Sequence, residues 1–407
     1  MAEVTGFGLA VGVVALALYV AVLSNRLSAW IRVPAPALFL VAAAAVAYVA
    51  TPLSALPVVI VQRVVTVALI IILFDGGMGL GWRRFRAGAV PIALLGVVGT
   101  VLTTAAIALF AGTLLGFPWR AAVLLGAALA PTDPAVVFSV LGRREISGRS
   151  GAILEGESGV NDPVGIAVMI SLLAATGAGR GLLEFTVEMA VGLVVGLLGG
   201  WVLLVFIRRF PLPSEGLYPV RLLAGAGVLY GLAAVVHGSG FLAVFVAGIL
   251  LGDARGPYQP ESKQFLSALG HLGEIVAFVY LGLTVSLRSL PPAWAVGLLL
   301  AVVLTLVIRP VVIGALLLPA RLRTGERLFI AWCGLKGAVP ILLGTFLLTS
   351  AVPDASRLYH IIVVVVTFSV VVQGGLVPAV ARWCRVPMRD RGRGYSPDET
   401  VPSGEDE

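Results

Sequence analysis

A short apolar stretch, residues 151–168, contains four polar side chains, three of them carboxylates and one an amide. They are Glu155, Glu157, Asn161 and Asp162. An ionisable group inside the hydrocarbon of a membrane costs so much free energy that it is either part of a functional site or one half of an ion pair. The types and spacing of these four side chains therefore predict a buried polar site in an otherwise apolar segment.

Asp162 is the candidate for exchange chemistry, because it lies in the middle of that stretch. A carboxylate removed from water holds a proton more readily, so a proton and a cation can compete for it. A cation that arrives displaces the proton, and a proton that arrives expels the cation. This competition is sufficient for antiport if the site faces one side of the membrane at a time. The alternative is a neutral Asp162 held by hydrogen bonds in a structural role.

Oxygen ligands for a cation are available on both sides of Asp162. Ser158 lies four residues earlier on the same helical face, so its hydroxyl can serve as a neutral ligand. Thr132 offers a carbonyl or a hydroxyl. Asp133 can contact the cation through water, or it can complement the positive ends of half-helices.

Other charged residues within apolar segments need partners. Glu157 and Arg309 are predicted to form a buried structural ion pair, which could also gate the site if it moves. Lys336 is predicted to balance half-helix carbonyl ends or Asp133. Asp75 either lines an entry path or extends to the interface. A further group is expected near span ends, at the membrane interface: His237, His271, His360, Glu188 and Glu274.

The elements that must position these residues are membrane-spanning helices. Hydrophobic residues make up 59% of the chain and charged residues 12%, and the mean hydropathy is +1.04. No water-soluble domain has this composition. Two cysteines, Cys333 and Cys384, provide neither a disulfide framework nor a metal-binding spacing.

Apolar runs of membrane-crossing length predict about thirteen spans. These are 4–24, 35–51, 59–80, 87–116, 119–142, 149–177, 183–208, 218–236, 240–252, 264–286, 292–319, 326–350 and 356–383. The loops on one side of the predicted spans carry 21 basic residues in total, and the loops on the other side carry five. By the positive-inside rule, this asymmetry predicts an outside N-terminus and a cytoplasmic C-terminus.

The spans also predict an internal duplication. A shift of 207 residues places the spans between 59 and 177 close to later ones, and it brings Asp133 onto Pro340. The displacement is seven spans, so the two copies cross the membrane in opposite senses. Pro131 and Pro134 interrupt one helix, and residues 334–340 interrupt its counterpart. Paired breaks near the midplane favour a transporter binding site over simple proline kinks.

Five motifs together resemble the monovalent cation:proton antiporters of the NhaP and NHE type. They are Phe74-Asp75-Gly76-Gly77, Thr132-Asp133-Pro134, Gly156-Glu157-Ser158-Gly159-Val160-Asn161-Asp162, Arg309, and Gly334-Leu335-Lys336-Gly337-Ala338-Val339-Pro340. They occur in the order that the family has them. The string that ends at Asp162, following the first proline-flanked break, is the most specific of the five.

The resemblance implies an all-α polytopic fold of thirteen helices, built as an inverted repeat with two broken helices that cross. It assigns 1–383 to the membrane, with 87–177 and 292–383 mainly ion-transport core, 1–80 and 218–286 mainly dimerisation bundle, and 183–208 a linker helix. A homodimer is implied as well. The low apolar content after the last span separately predicts that 384–407 is a disordered cytoplasmic tail.

The resemblance also assigns roles to residues. Asp162 is the exchanging carboxylate, with Ser158, the Thr132 carbonyl and, through water, Asp133 near the ion. Asp75 stands where the family usually has glutamate, and Lys336 where it usually has arginine, with loss of bidentate geometry. Asn161 beside Asp162 resembles the electroneutral branch of the family, whose site has one titrating carboxylate.

The predicted function is exchange of a monovalent cation for H+ across the cell membrane. Na+ is the cation that we expect first among the candidates. The nearest alternative is K+/H+ exchange by the same machinery. A sodium-coupled organic-solute symporter and a channel-like or sensory protein are alternatives of other classes. No enzymatic activity and no cofactor are expected, since no nucleotide motif, metal cluster or nucleophile arrangement occurs in the sequence.

Overall fold

A computed structural model of the chain describes residues 19, 34–49, 57–141, 144–146, 148–174, 178–254, 256–320 and 322–390. Apart from Tyr19, the predicted span 4–24 lies outside the described residues, and so does most of the predicted tail. Within the described part, nearly every ordered element is a helix.

The helices follow one another with short connections. The first eight are α1 Ala35–Val49, α2 Val58–Ala93, α3 Thr100–Thr113, α4 Trp119–Leu129, α5 Pro134–Leu141, α6 Arg149–Ala174, α7 Ala178–Arg209 and α8 Leu217–Val235. The next eight are α9 Gly240–Gly252, α10 Gln259–Leu283, α11 Trp294–Val303, α12 Arg309–Leu316, α13 Thr324–Trp332, α14 Ala338–Leu348, α15 Ala355–Phe368 and α16 Gly374–Trp383. Short 3₁₀ turns lie at Leu287–Ser289 and Pro291–Ala293, and wider π-helical segments at Leu94–Gly99, Leu304–Ile308 and Ser369–Gln373.

The described residues contain seven helical segments long and apolar enough to cross a membrane, accompanied by three shorter apolar helices, α1, α9 and α14. The predicted all-helical polytopic fold is therefore confirmed, although the count of thirteen spans is not. Most of the α6 side chains are buried inside the molecule, including Asp162. By contrast, α7 exposes many large apolar side chains, as expected of a helix that faces lipid.

The predicted boundary between two spans is present after residue 80, but it is a kink at one residue and not a loop. The sequence separated 59–80 from 87–116 by a loop, but helix follows on both sides of Gly81, which alone has non-helical angles, φ 65° and ψ 163°. This positive φ is readily adopted only by glycine. The Asp253 carboxylate accepts a 2.7 Å hydrogen bond from the backbone N–H of Arg83 and so caps the restarted helix.

Both predicted helix breaks are present. One separates α4 from α5, and the other separates α13 from α14. The second half-helices start at Pro134 and Ala338, 204 residues apart, so the predicted shift of 207 is wrong by three residues at this point. With a shift of 204, Asp133 corresponds to Gly337 rather than to Pro340, and Asp133 also contacts Leu335 and Gly337 where the two breaks cross.

Matching π-helical segments support the duplication. Leu94–Gly99 joins α2 to α3, and Leu304–Ile308 joins α11 to α12, at comparable distances before the two broken helices. Such wide turns are rare and tend to occur at functional sites. Their recurrence at equivalent places is stronger evidence for a repeat than similar span lengths.

Two short strands, β1 Arg144–Ile146 and β2 Met388–Asp390, pair in antiparallel fashion. The sequence did not predict them. β2 lies within the segment predicted as a disordered tail from residue 384, and pairing with β1 gives these residues regular structure. Residues 391–407 lie outside the described part of the chain.

Candidate functional site

The two broken helices are joined directly where they cross. The backbone N–H of Asp133 donates to the carbonyl of Leu335 at 2.8 Å. The Lys336 ammonium donates to the carbonyls of Ala130 and Pro131, both at 3.0 Å. These carbonyls lie at the end of α4, where helical hydrogen bonding stops and the backbone carries partial negative charge. Each break therefore supplies hydrogen-bond partners for the other.

Asp133 contacts the N-terminal ends of the two second half-helices, α5 and α14. Its Oδ1 accepts from the backbone N–H of Ala135 at 2.9 Å, which caps the start of α5. The same carboxylate is hydrogen-bonded to the backbone N–H of Ala338, at the start of α14. Of the two roles that the sequence left open, this geometry supports complementation of positive helix ends.

Gly337 has no side chain because Asp133 occupies the adjacent space. A Cβ on Gly337 would overlap both the Cβ and the carboxylate of Asp133. The crossing therefore requires glycine at this position, regardless of backbone angles.

Thr132 brings the predicted neutral ligands together. Ser158 donates its hydroxyl to the Thr132 carbonyl at 2.6 Å. Asn161 donates Nδ2–H to the Thr132 hydroxyl at 2.7 Å, and its Oδ1 accepts from the Thr132 backbone N–H at 3.3 Å. The Asn161 amide is thereby fixed in one orientation. The predicted set of Thr132, Ser158 and Asn161 forms one buried cluster.

Asp162 lies beside this cluster and is 8% exposed. It interacts electrostatically with Asp133 and with Lys336. Among the described residues, no protein group donates a hydrogen bond to its carboxylate. A buried carboxylate without donors is poorly stabilised as an anion. Chemically, it can bind a proton or accept a cation in the proton's place.

The predicted ion pair between Glu157 and Arg309 is present. Arg309 Nη2 lies 2.7 Å from Glu157 Oε1, and the two side chains are 3% and 2% exposed. Arg309 also donates Nε–H to the carbonyl of Ala331, near the end of α13. Gly334 leaves room for the guanidinium, since a Cβ there would overlap it. The pair thus fixes α6 against the second break.

Asp75 does not join the central cluster. Its carboxylate lies half-buried against Gly270 of α10, where an added Cβ would sit 2.9 Å from Oδ2. The nearby His271 interacts with it electrostatically. Glu155, the first of the four polar side chains of residues 151–168, forms a partly exposed ion pair with Arg84 at 2.9 Å.

Sequence reasoning missed a polar network that supports the second break. Gln373 donates to the carbonyl of Trp332 at 2.6 Å and accepts from Ser369 at 2.9 Å. Ser369 in turn accepts from the backbone N–H of Lys336 at 2.9 Å. Thr305 also donates to Gln373, at 3.2 Å. The available signal was the spacing of Ser369 and Gln373, four residues apart in an apolar helix.

Glu274 was also misjudged. The sequence placed it near a span end, but α10 runs from Gln259 to Leu283, so Glu274 lies in the middle of the helix. Its Oε1 is buried, and no group in the described part of the chain forms a hydrogen bond with it. Glu274 also interacts electrostatically with Asp133.

A polytopic membrane protein with two crossed, interrupted helices and a buried carboxylate beside them belongs to the class of secondary transporters with broken helices. The sequence model of the family described as "Sodium/hydrogen exchanger, transmembrane" matches residues 11–383. The chain therefore belongs to the sodium/hydrogen exchanger family.

Several curated proteins are similar in sequence. The K(+)/H(+) antiporter NhaP of Alkalimonas amylolytica is 35% identical over 344 residues, which cover 83% of this chain and 59% of that protein. NhaP2 of Shewanella sp. (strain MR-4), also named a K(+)/H(+) antiporter, is 34% identical over 79% of this chain and 57% of its own length. The low-affinity Na(+)/H(+) antiporter NhaS1 of Synechocystis is 26% identical over 89% of this chain and 72% of its own length.

The chain thus spans under three fifths of the length of the two NhaP relatives. A solved structure of the sodium proton antiporter MjNhaP1 from Methanocaldococcus jannaschii has the same fold. Its TM-score is 0.77 at 23% identity, with 92% of this chain and 97% of that chain covered.

Proposed function

We propose that this chain exchanges a monovalent cation for a proton across the cell membrane by alternating access, with Asp162 as the group that both ions share. The observation that carries the proposal is the position of Asp162. It is buried, accepts no hydrogen bond from the described protein, and lies next to Thr132, Ser158 and the helix crossing.

The neutral oxygens beside Asp162 suit a desolvated cation. Ser158 uses its hydroxyl hydrogen on the Thr132 carbonyl, so lone pairs of both oxygens stay available. Carboxylate, hydroxyl and carbonyl oxygens are the usual ligands for hard cations. In the proposed site, Asp162, Ser158 and Thr132 hold the ion directly and Asp133 contacts it through water.

The charge balance at the site favours an electroneutral 1:1 exchange. Asn161 is a neutral amide whose oxygen and nitrogen both bond to Thr132. Asp133 accepts hydrogen bonds from the backbone N–H groups of two half-helices, and these contacts stabilise its anionic form. Asp162 then remains as the carboxylate at the crossing that alternates between a proton and a cation.

Sodium is the proposed cation, and potassium is the second candidate. The specific observation in favour of potassium is that the relatives with 34–35% identity are named K(+)/H(+) antiporters, whereas the one named for Na(+) is 26% identical. The proposal also includes a homodimer, an outside N-terminus and a cytoplasmic C-terminus. It includes neither enzymatic activity nor a cofactor.

Transport by the purified chain in proteoliposomes tests this proposal. Sodium, lithium, potassium and rubidium are each supplied against an imposed pH gradient, and exchange is followed with a pH-sensitive dye. We expect cation-dependent proton movement in the wild type and its loss in Asp162→Asn, which preserves shape but cannot titrate. Glu188→Gln, which neutralises a carboxylate on α7, is the matched control and should retain exchange. Exchange that persists in Asp162→Asn would refute the mechanism.

A further inference from the structure

A second carboxylate lies between the helix crossing and Asp75. Glu274 is on α10, a helix that packs against α2 and α14 and contains none of the motif residues. It interacts electrostatically with Asp133, which itself interacts with Asp162. Glu274 therefore lies within electrostatic range of the exchange site, although it belongs to a different part of the fold.

Glu274 also lies close to Asp75. The Asp75 carboxylate rests against the backbone of Gly270, and Glu274 follows Gly270 by four residues, which places it one turn further along the same helical face. The carboxylates thus occur in the order Asp75, Glu274, Asp133 and Asp162. Asp75, Glu274 and Asp133 are half-buried, whereas Asp162 at the end of the series is buried.

The bonding of Glu274 is incomplete. Its Oε1 is buried, and no group among the described residues donates to it. A buried anionic oxygen without a donor is strongly unfavourable. The side chain is stable in this position if it carries a proton or if a cation occupies the space beside it.

We propose that Glu274 is an entry carboxylate, a transient binding group for the transported cation on the cytoplasmic side of Asp162. This rests on the proposed exchange function and on the assignment of the arginine-rich face to the cytoplasm. When the cation arrives, Glu274 releases its proton to cytoplasmic water. When the cation moves on to Asp162, the proton displaced from Asp162 passes to Glu274. One cation has then entered and one proton has left, so the exchange stays electroneutral.

The test is sidedness of cation affinity in Glu274→Gln. Everted vesicles present the cation to the cytoplasmic face, and right-side-out vesicles present it to the other face. We expect the apparent KM for the cation to rise about tenfold in everted vesicles, the size of one lost charged contact. The KM in right-side-out vesicles and the maximal rate at saturating cation should stay within about twofold of the wild type. Glu188→Gln is the matched control, and it should leave both KM values unchanged.

Glu274→Asp provides a second measurement, including for the case in which Glu274→Gln does not fold. The shorter side chain keeps the charge but withdraws it from Asp133, so the KM in everted vesicles should rise by less than in Glu274→Gln. An unchanged KM in either variant would overturn the proposal. So would an equal change on both faces, or a fall in maximal rate alone, since either result indicates a structural role. Failure of the exchange function itself is distinguishable, because it shows in the wild type or in Asp162→Asn.

Discussion

The ammonium of Lys336 lies 3.0 Å from the carbonyl oxygen of Ala130, which belongs to the other broken helix. A second donor of the same ammonium reaches the carbonyl of Pro131 at the same distance. Lysine can replace the arginine that is usual at this position because the two acceptors are backbone carbonyls and not one planar carboxylate. A compact ammonium with three donors satisfies such a pair.

Loss of the Lys336 charge is predicted to destabilise the crossing. Lys336→Met keeps the length of the side chain but leaves the carbonyls of Ala130 and Pro131 without donors, which costs about 2–3 kcal/mol. We expect a lower thermal unfolding midpoint in detergent, measured by fluorescence-detected size exclusion. Lys336→Arg should recover part of the loss. A midpoint for Lys336→Met equal to that of the wild type would contradict this role.

Gly337→Ala is predicted to separate the broken helices and abolish exchange. The added methyl group would occupy the position of the Asp133 side chain, and no flexible neighbour can yield there because the obstacle includes Cβ. Gly314→Ala on α12 is the matched control, because nothing lies within 4 Å of its added Cβ. Both variants are compared in the proteoliposome assay. Full activity in Gly337→Ala would show that the crossing is wider than described.

The ion pair between Glu157 and Arg309 is predicted to show strong coupling. Removing one partner leaves a buried, unpaired charge, so Glu157→Leu or Arg309→Met alone should cost about 3–5 kcal/mol of stability. The double variant removes both charges and should be more stable than the sum of the single losses predicts. The unfolding midpoints of the wild type, the two single variants and the double variant form a double-mutant cycle. Additive losses would mean that the two side chains do not depend on each other.

Protons are predicted to compete with the cation at Asp162. Lowering the pH on the side from which the cation binds increases the protonated fraction, and a protonated carboxyl cannot hold the cation. The apparent KM should therefore rise by up to about tenfold per pH unit at low pH. The maximal rate should be recovered at saturating cation. A rate that falls with pH at unchanged KM would indicate that the proton acts at a separate site.

The parts of the site that were predictable from the sequence are those with a local cause. Prolines and polar residues inside apolar segments predicted both breaks, because they interrupt helical hydrogen bonding wherever they occur. Glu157 and Arg309 were matched because two isolated buried charges each need a counterion.

Contacts that depend on the crossing geometry could not be predicted. The bonds from Lys336 to Ala130 and Pro131 join residues more than 200 positions apart, and no local pattern in the sequence links them. Apolar span lengths determine a register only loosely, since span ends vary by several residues. Glu274 was misplaced for a related reason, because depth in the membrane depends on where a helix starts.

The pairing of β1 with β2 gives the molecule a mechanical connection. β2 follows the last described helix, α16, and β1 lies in the connection between α5, the second half of a broken helix, and α6, the helix of Asp162. Tension applied to the chain beyond Asp390 would act first on β2 and, through its hydrogen bonds, on that connection. The segment that follows α16 is thus linked to the connection between α5 and α6 by the hydrogen bonds of a two-stranded sheet, in addition to the packing of the helices.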